Sequence, residues 1–264
     1  MAIKNLLIAY CGSDSSDVAL DAALFMRDKY DAHLTGLLAQ DFAPVNPNVN
    51  SWIPEDVRAG IHEAQTKASK NIEAQFRQRT ASSSAPDKIH WISKVGDGNA
   101  TVARYARLFD LTILGHHDAI HGEDDQLHPD IVATVSGRPV LLVSREFDMS
   151  TMNEHAVLAW DGKRAASRAL ADAMQILKTK SLVTVITVDD DHSEPSLPDI
   201  SVETALQRHG GEDRAGETGA GRRVRQLSHT GIHRARETRC IGDGGLLAQL
   251  SFVSRSWVVL PVVC

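Results

Sequence analysis

The sequence has few cysteines and no long apolar run, and each absence excludes a class of protein. The three cysteines, Cys11, Cys240 and Cys264, lack the spacing of a metal site, and their odd number leaves a free thiol. No apolar stretch approaches the ~18 residues of a membrane-spanning helix, and the N-terminal residues lack the pattern of a secretory leader. We therefore expect a cytoplasmic protein with reduced thiols and no membrane partner.

An excess of positive charge is also missing. The chain has 28 lysines and arginines against 34 aspartates and glutamates, for a net charge of -6 at pH 7. Because both signs are dispersed, this balance argues against nucleic acid or an anionic membrane as the main partner. The 264 residues, 42% of them hydrophobic, suit two globular domains that each bury a core.

What the sequence does contain is a repeat. Residues 6–23 (LLIAYCGSDSSDVALDAA) return at 156–173 (AVLAWDGKRAASRALADA) with a constant offset of 150. Each copy has an apolar run of strand length, a glycine turn and a helical pattern, so each predicts the opening of a βα unit. The identical pairs are Ala9/Ala159, Gly12/Gly162, Ala19/Ala169, Leu20/Leu170 and Ala23/Ala173.

The first half of the chain alternates strand and helix patterns. Helices are predicted from Ser13 or Ser15 to about Lys29, over 55–79 and over 99–108, and the proline-rich stretch 41–54 is a predicted loop. The alternation predicts a doubly wound parallel α/β sheet, in which ligands bind at the carboxyl ends of the strands. The predicted strands are 4–10, 33–38, 89–95, 111–115 and 139–143.

Three segments carry a resemblance to a known family. The strand-Gly-Ser opening, DLTILGHH at 110–117 and SGRPVLLV at 136–143 resemble the universal stress proteins in their tandem form. The resemblance implies two five-stranded parallel α/β domains of the adenine-nucleotide-hydrolase-like type, at 1–147 and 153–264. It also implies a role in the stress response, and pairing through the last strands, within the chain or in a homodimer. Some members of the family bind ATP and others do not.

The nucleotide-binding members have an acidic residue after the first strand and a glycine loop after the fourth. In that loop, glycines let the backbone approach the phosphates, while amides and a hydroxyl hold the charge. The first domain has Cys11 at the acidic position and keeps Gly115. Asp118 replaces the second glycine, where its carboxylate would repel a phosphate, and Gln126 and Leu127 stand in place of the final Gly-Ser. We therefore expect no usual ATP-binding loop in this domain.

The second domain keeps the acidic residue as Asp161, directly after its first strand. This carboxylate has two interpretations: it contacts an adenine or ribose, or it caps the following helix from a turn. Gly12 and Gly162 are explained by tight strand-to-helix turns. No cofactor is expected, but ATP is retained as an option, with Asp161, Gly162, Gly12 and Gly115 as the candidate binding residues.

Other groups of residues suggest weaker hypotheses. Cys11 next to a helix start could be a reactive thiol, but a buried structural cysteine is the preferred interpretation. The string CGSDSS at 11–16 also resembles the phosphate loops of ATP-pyrophosphatase ligases, although helix capping explains it better. Asp110 is interpreted as a strand-edge residue. A clustered set of histidines fits a solvated loop better than a metal site: His116, His117, His121 and His128.

The repeat fails in the last fifth of the chain. It holds through the predicted strand 181–188 and a helix starting in 201–209, and the domain is regular to about residue 210. Between Glu212 and Arg239 there are seven arginines and no lysine, and no strand-length apolar run follows until Leu246. A shifted reading frame from about Gly211, or ordinary divergence, would explain the aberrant tail 211–264. Residues 246–252 and 257–263 are apolar enough to serve as replacement strands.

These observations favour a non-catalytic binding or regulatory protein of the stress response. Two alternatives stay open: an ATP-binding switch with slow hydrolysis, and an ATP-pyrophosphatase-like ligase built on residues 11–16.

Overall fold

The computed structural model describes residues 2–40, 54–116, 127–145, 147–152, 155–187, 199–209, 226–227 and 257–259. The chain divides into two compact units, residues 3–145 and residues 146–264 together with 1–2. Within the described ranges, none of the helices combines the length and apolar character needed to cross a bilayer.

The first unit is a five-stranded parallel sheet in the order β3-β2-β1-β4-β5. This confirms the doubly wound α/β fold predicted for it. The predicted strands are all present, and their ends differ from prediction by at most two residues. The strands are β1 (Asn5–Ala9), β2 (His33–Gln40), β3 (Ile89–Val95), β4 (Leu111–Gly115) and β5 (Val140–Val143).

Four helices cover this sheet: α1 (Asp14–Tyr30), α2 (Glu55–Thr80), α3 (Gly98–Ala106) and α4 (Pro129–Ser136). The first three match predicted helices. The short helix α4 was not predicted, although Pro129 at its first position and the left-handed Gly137 at its end are typical helix boundary signals.

Both faces of the sheet are covered, which explains the continuous apolar runs of β1 and β4. On one face lie α1 and α2. There, Phe76 of α2 stacks near Tyr10 and Trp91, with ring centroids 5.5 and 4.8 Å away. On the other face, α3 and α4 close a second core of buried residues: Leu7, Ala9, Leu37, Val102, Ala106, Leu114 and Val132.

The second unit contains a parallel sheet in the order β8-β7-β6-β9. Its neighbours follow the same order as the first four strands of the first sheet. The elements are β6 (His155–Trp160), α5 (Arg164–Leu177), β7 (Leu182–Thr187), α6 (Val202–His209), β8 (Gln226–Leu227) and β9 (Trp257–Val259).

The expected replacement strand is present as β9, which pairs with β6 over Ala156–Leu158. This short strand takes the place that β4 holds beside β1 in the first sheet. The second proposed replacement, 246–252, and most of the aberrant tail lie outside the described residues.

Candidate functional site

The sheet order places a crevice at the carboxyl ends of β1 and β4. From β1 the chain proceeds outward to β2 and β3, whereas β4 and β5 lie on the opposite side of β1. Ligands of open α/β sheets bind at such a switch point. Cys11 follows β1 here, Gly115 ends β4, and the first turn of α1 lies beside them.

The first turn of α1 forms a small hydroxyl network. Ser13 is the N-cap, and its Oγ accepts a hydrogen bond from the Ser16 amide at 3.3 Å. The same Oγ lies 3.1 Å from Ser15 Oγ and 3.2 Å from Cys11 Sγ. The turn also carries two carboxylates, Asp14 and Asp17, which already complement the positive end of the helix dipole. A further anion at this helix start would be repelled by them.

Cys11 is exposed at this edge. The expectation of a buried structural cysteine is therefore wrong. The reason is local: Cys11 comes after the last residue of β1, and the chain turns outward at Gly12 before entering α1. Strand β1 ends at Ala9, two residues before this side chain.

Gly115 is required for close packing between β4 and α1. A Cβ atom at this position would lie 2.5 Å from Ser15 O and 2.6 Å from Ser15 C, which are backbone atoms. The glycine therefore lets the start of α1 approach the end of β4. This structural requirement explains Gly115 without any ligand.

Gly12 lies on the other side of the same helix start. Its φ of +79° belongs to the left-handed region, and a Cβ atom would lie 2.9 Å from Gln75 Oε1 of α2. The structure thus brings Gly12 and Gly115 to one place, on either side of residues 13–16. Both are explained by packing around the N-terminus of α1.

The segment expected to cradle phosphates is occupied by apolar and acidic side chains. Leu127 packs against the second core and lies 3.3 Å from where a Cβ of Gly98 would be. Helix α4 then begins with Pro129, which has no amide proton, and Asp130, which adds a carboxylate to the first turn. Asp118 and Gln126 lie outside the described residues.

A buried polar group below the crevice was not predicted. Tyr10 is almost fully buried and donates its hydroxyl to Asp17 Oδ1 at 2.6 Å. Burial, reinforced by the hydrogen bond from Tyr10 to the Asp17 carboxylate, holds the pKa of the phenol well above its ordinary value. Arg79 of α2 lies 3.4 Å from Asp17 Oδ2. The phenol is therefore a neutral structural donor that ties β1 to α1.

Asp161 and Gly162 form the corresponding turn of the second unit. Gly162 has a φ of +77°, and Asp161 Oδ1 accepts a hydrogen bond from the Lys163 amide at 2.9 Å. Lys163 is the N-cap of α5, but its side chain makes no capping bond. The carboxylate therefore stabilises the start of α5, which supports its interpretation as a turn residue. Within the described residues, its second oxygen has no hydrogen-bond partner.

Asp110 has a definite structural task at the opposite edge of the sheet. Its Oδ2 accepts hydrogen bonds from the Lys4 and Asn5 amides at 2.7 and 2.9 Å. The carboxylate therefore satisfies backbone donors at the amino end of β1, far from the carboxyl-end crevice.

In the ranges that the structure describes, no three His, Cys, Asp or Glu side chains cluster to hold a metal ion. His117 and His121 lie outside those ranges.

Solved structures that resemble the chain include several universal stress proteins. The protein from Archaeoglobus fulgidus is 17% identical, with 71% of this chain and 68% of that one covered at a TM-score of 0.52. UspA from Lactobacillus plantarum is 21% identical, with 54% and 99% covered at 0.45. A universal stress protein in complex with cAMP is 21% identical, with 55% and 100% covered at 0.39. No protein-family model and no curated protein matches the chain.

The fold is that of the universal stress proteins. Both the five-stranded sheet and its order agree with this fold. In the crevice of the first unit, an exposed thiol follows β1. Leu127 packs against the core just before α4, and Pro129 begins that helix.

Proposed function

We propose that the chain is a tandem universal stress protein of the cytoplasm, which acts in the stress response by binding and without catalysis. The fold supports the family, and the repeated βα opening supports the tandem form. The first unit then serves as a rigid module that does not bind ATP.

The observation that carries this proposal is the filled phosphate segment of the first unit. Leu127 packs against the core at the position where a hydroxyl would be needed, and Pro129 removes one amide from the start of α4. Carboxylates in the first turns of α1 and α4, from Asp14, Asp17 and Asp130, oppose a bound triphosphate. Amides and glycines that could approach phosphates are thus replaced by groups that exclude or repel them.

Calorimetric titration of the full chain with MgATP, and separately with cAMP, tests this proposal. We expect no binding to the first unit tighter than about 1 mM, which corresponds to about 4 kcal/mol. Chemical-shift changes in β1, β4 and α1 on addition of either nucleotide at micromolar concentration would contradict it.

A second candidate is nucleotide contact through Asp161 in the second unit. Its carboxylate lies at the carboxyl end of β6 and uses one oxygen in the turn, which leaves the other oxygen for a ribose hydroxyl. If the full chain binds ATP, Asp161→Asn should weaken that binding at least tenfold, whereas Asp87→Asn, an exposed control, should leave it unchanged. Equal affinities in the two variants would place the nucleotide elsewhere.

Absence of catalysis is a separate part of the proposal. The ATP-binding switch predicts slow release of phosphate from MgATP, and the ligase alternative predicts release of pyrophosphate. We expect neither product above the rate of a buffer control in stopped-time assays with the purified chain. Pyrophosphate release that is lost on Ser13→Ala would instead favour the ligase.

Pairing through the last strands is proposed as well, within the chain or in a homodimer. In the described residues, β5 pairs with β4 on one side and has no partner strand on its other edge. Such an edge favours addition of another strand. Light scattering distinguishes the two cases, because a homodimer would have twice the chain mass of 28.7 kDa.

We also propose that the tail from about Gly211 derives from a shifted reading frame. The adjacent codons of Trp257 and Val258 must contain GGT, a glycine codon, when read two nucleotides late, and glycine is what the missing loop requires. Sequencing the gene across the codons for 205–264 tests this. An intact frame in the natural strain, with no related unshifted copy, would favour ordinary divergence.

A further inference from the structure

Two histidines meet at the amino end of the first sheet, on its edge. His33 opens β2 and His90 is the second residue of β3. His33 Nδ1 lies 3.1 Å from His90 Nε2, and the two rings are nearly parallel, with an interplanar angle of 10° and centroids 5.4 Å apart. Both side chains are exposed.

The strand register explains why the rings meet. His90 pairs with Thr35, which lies two residues beyond His33 on β2. Side chains two residues apart on a strand share a face, so His33 and His90 are diagonal neighbours on the same face of adjacent strands. The pair is therefore positioned by two hydrogen-bonded strands rather than by a loop.

We infer that His33 and His90 form a two-nitrogen binding site for a divalent transition-metal ion, which Cu²⁺ occupies most tightly and Ni²⁺ and Zn²⁺ more weakly. For metal–nitrogen bonds of about 2.0–2.1 Å, a nitrogen separation of 3.1 Å corresponds to an N–metal–N angle of roughly 95–100°. That angle is near the ~90° between neighbouring ligands in square-planar or octahedral coordination, and below the ~109° of a tetrahedron.

The contact between the rings already aims the required nitrogens at each other. One imidazole must donate an N–H to the lone pair of the other, so a metal ion can replace the shared proton with a small adjustment of the side chains. Among the described residues, the remaining nitrogen of each ring has no hydrogen-bond partner. Water molecules can complete the coordination, because both rings face solvent.

The charges around the pair set the strength of the site. Asp31 is close enough to His33 for the two to interact electrostatically. Its carboxylate, however, is engaged by Lys88, with Lys4 Nζ 3.9 Å from the other oxygen. The lysines counteract the attraction that the carboxylate exerts on a cation. Removal of the Lys88 charge should therefore strengthen metal binding at the two histidines.

This site is independent of the proposed nucleotide chemistry. It lies at the amino ends of β2 and β3, whereas the crevice lies at the carboxyl ends of β1 and β4. Failure of one proposal therefore leaves the other in place.

The test follows paramagnetic broadening by Cu²⁺ in ¹H–¹⁵N spectra of the full chain, which locates the ion even if other histidines bind it. Substoichiometric Cu²⁺ should broaden the amide signals around His33 and His90 first. In His33→Gln and in His90→Gln, the apparent affinity measured at those amides should fall at least tenfold. His62→Gln, which removes an exposed histidine from α2, is the matched control and should retain wild-type broadening.

Lys88→Gln provides a variant with the opposite expected effect, a several-fold gain in affinity at the same amides. Unchanged broadening in both single-histidine variants would overturn the proposal, and so would broadening of wild type that spares β2 and β3. Signals of distant residues, such as those of α4, report whether each variant remains folded.

Discussion

The two βα openings of this chain share a backbone and differ in their polar chemistry. β1–α1 and β6–α5 both turn through a glycine, with φ values of +79° at Gly12 and +77° at Gly162. The first helix is capped by the Ser13 side chain. At the same position the second helix has Lys163, whose amide bonds to Asp161 instead.

The difference shows that the turn geometry, not its polar side chains, is what the two openings have in common. A left-handed residue is needed in both. In the first opening a hydroxyl caps the helix, whereas in the second a carboxylate bonds the amide of the residue just before the helix. Asp161 therefore has a structural reason to be present. Cys11, which occupies the corresponding position, lies 3.2 Å from Ser13 Oγ and is exposed.

The largest expected effect comes from a substitution in the close packing of the first opening. Gly115→Ala would place a Cβ 2.5 Å from the backbone oxygen of Ser15, so β4 and α1 must separate. We expect a loss of about 2–3 kcal/mol in the free energy of unfolding, measured by urea denaturation with hydrogen exchange at β1 and β4.

Gly60→Ala is the matched control for this substitution. Gly60 lies within α2, and a Cβ there would meet no atom within 4 Å. Alanine should stabilise this helix by roughly 0.5–1 kcal/mol. If both alanines have the same effect, the close approach at Gly115 does not constrain the fold.

The next effect compares the two glycine turns directly. Gly12→Ala and Gly162→Ala should each cost about 1–2 kcal/mol, because alanine is strained in the left-handed region. For Gly12→Ala the close approach of the new Cβ to Gln75 Oε1, at 2.9 Å, adds to this cost. Amide exchange in β1 and β6 measures each unit separately. Gly12→Ala should therefore destabilise the protein less when it is combined with Gln75→Ala. An equal loss of unfolding free energy with and without Gln75→Ala would mean that the contact with Gln75 does not contribute.

A smaller effect concerns the two helix caps. Ser13→Ala removes the hydroxyl that accepts the Ser16 amide and should destabilise α1 by about 1 kcal/mol. Lys163→Ser offers a capping hydroxyl to α5 and should stabilise it by several tenths of a kcal/mol. Thermal unfolding should show a lower melting temperature for Ser13→Ala and a higher one for Lys163→Ser. No gain from Lys163→Ser would mean that a serine hydroxyl does not cap α5.

The smallest effect is a pH dependence confined to the second unit. Burial lowers the pKa of His155, whose Nε2 lies 2.8 Å from Thr184 Oγ1. Below about pH 6.5 the unfolded chain takes up the proton more readily than the folded one. The stability that His155 contributes is therefore present above that pH and is lost as the pH falls toward the lowered pKa.

His155→Asn tests this, because asparagine is the residue 150 positions earlier, at Asn5. The variant should reduce the difference in β6 hydrogen exchange between pH 7 and pH 5, and β1 exchange should not change. An unaltered pH difference at β6 would assign the effect to another group.

The strands and the first three helices could be predicted because their signals are local. Ser13 at a helix start, the glycine turns and the apolar run of 111–115 act within a few residues of themselves. Helix α4 was missed because its apolar pattern is only eight residues long. Burial of Cys11 was wrongly expected because the end of β1 depends on its pairing with β2 and β4, which are separated from it in sequence.

By itself, the sequence determined the repeated βα openings and the α/β alternation, since each depends on residue type and short spacing. Only the tertiary structure decided what the individual side chains do. Asp110 binds amides 105 and 106 residues away, Gly115 is needed because α1 returns against β4, and His33 meets His90 through the register of two strands. These roles arise from contacts between distant segments, which exist only once the sheet has formed.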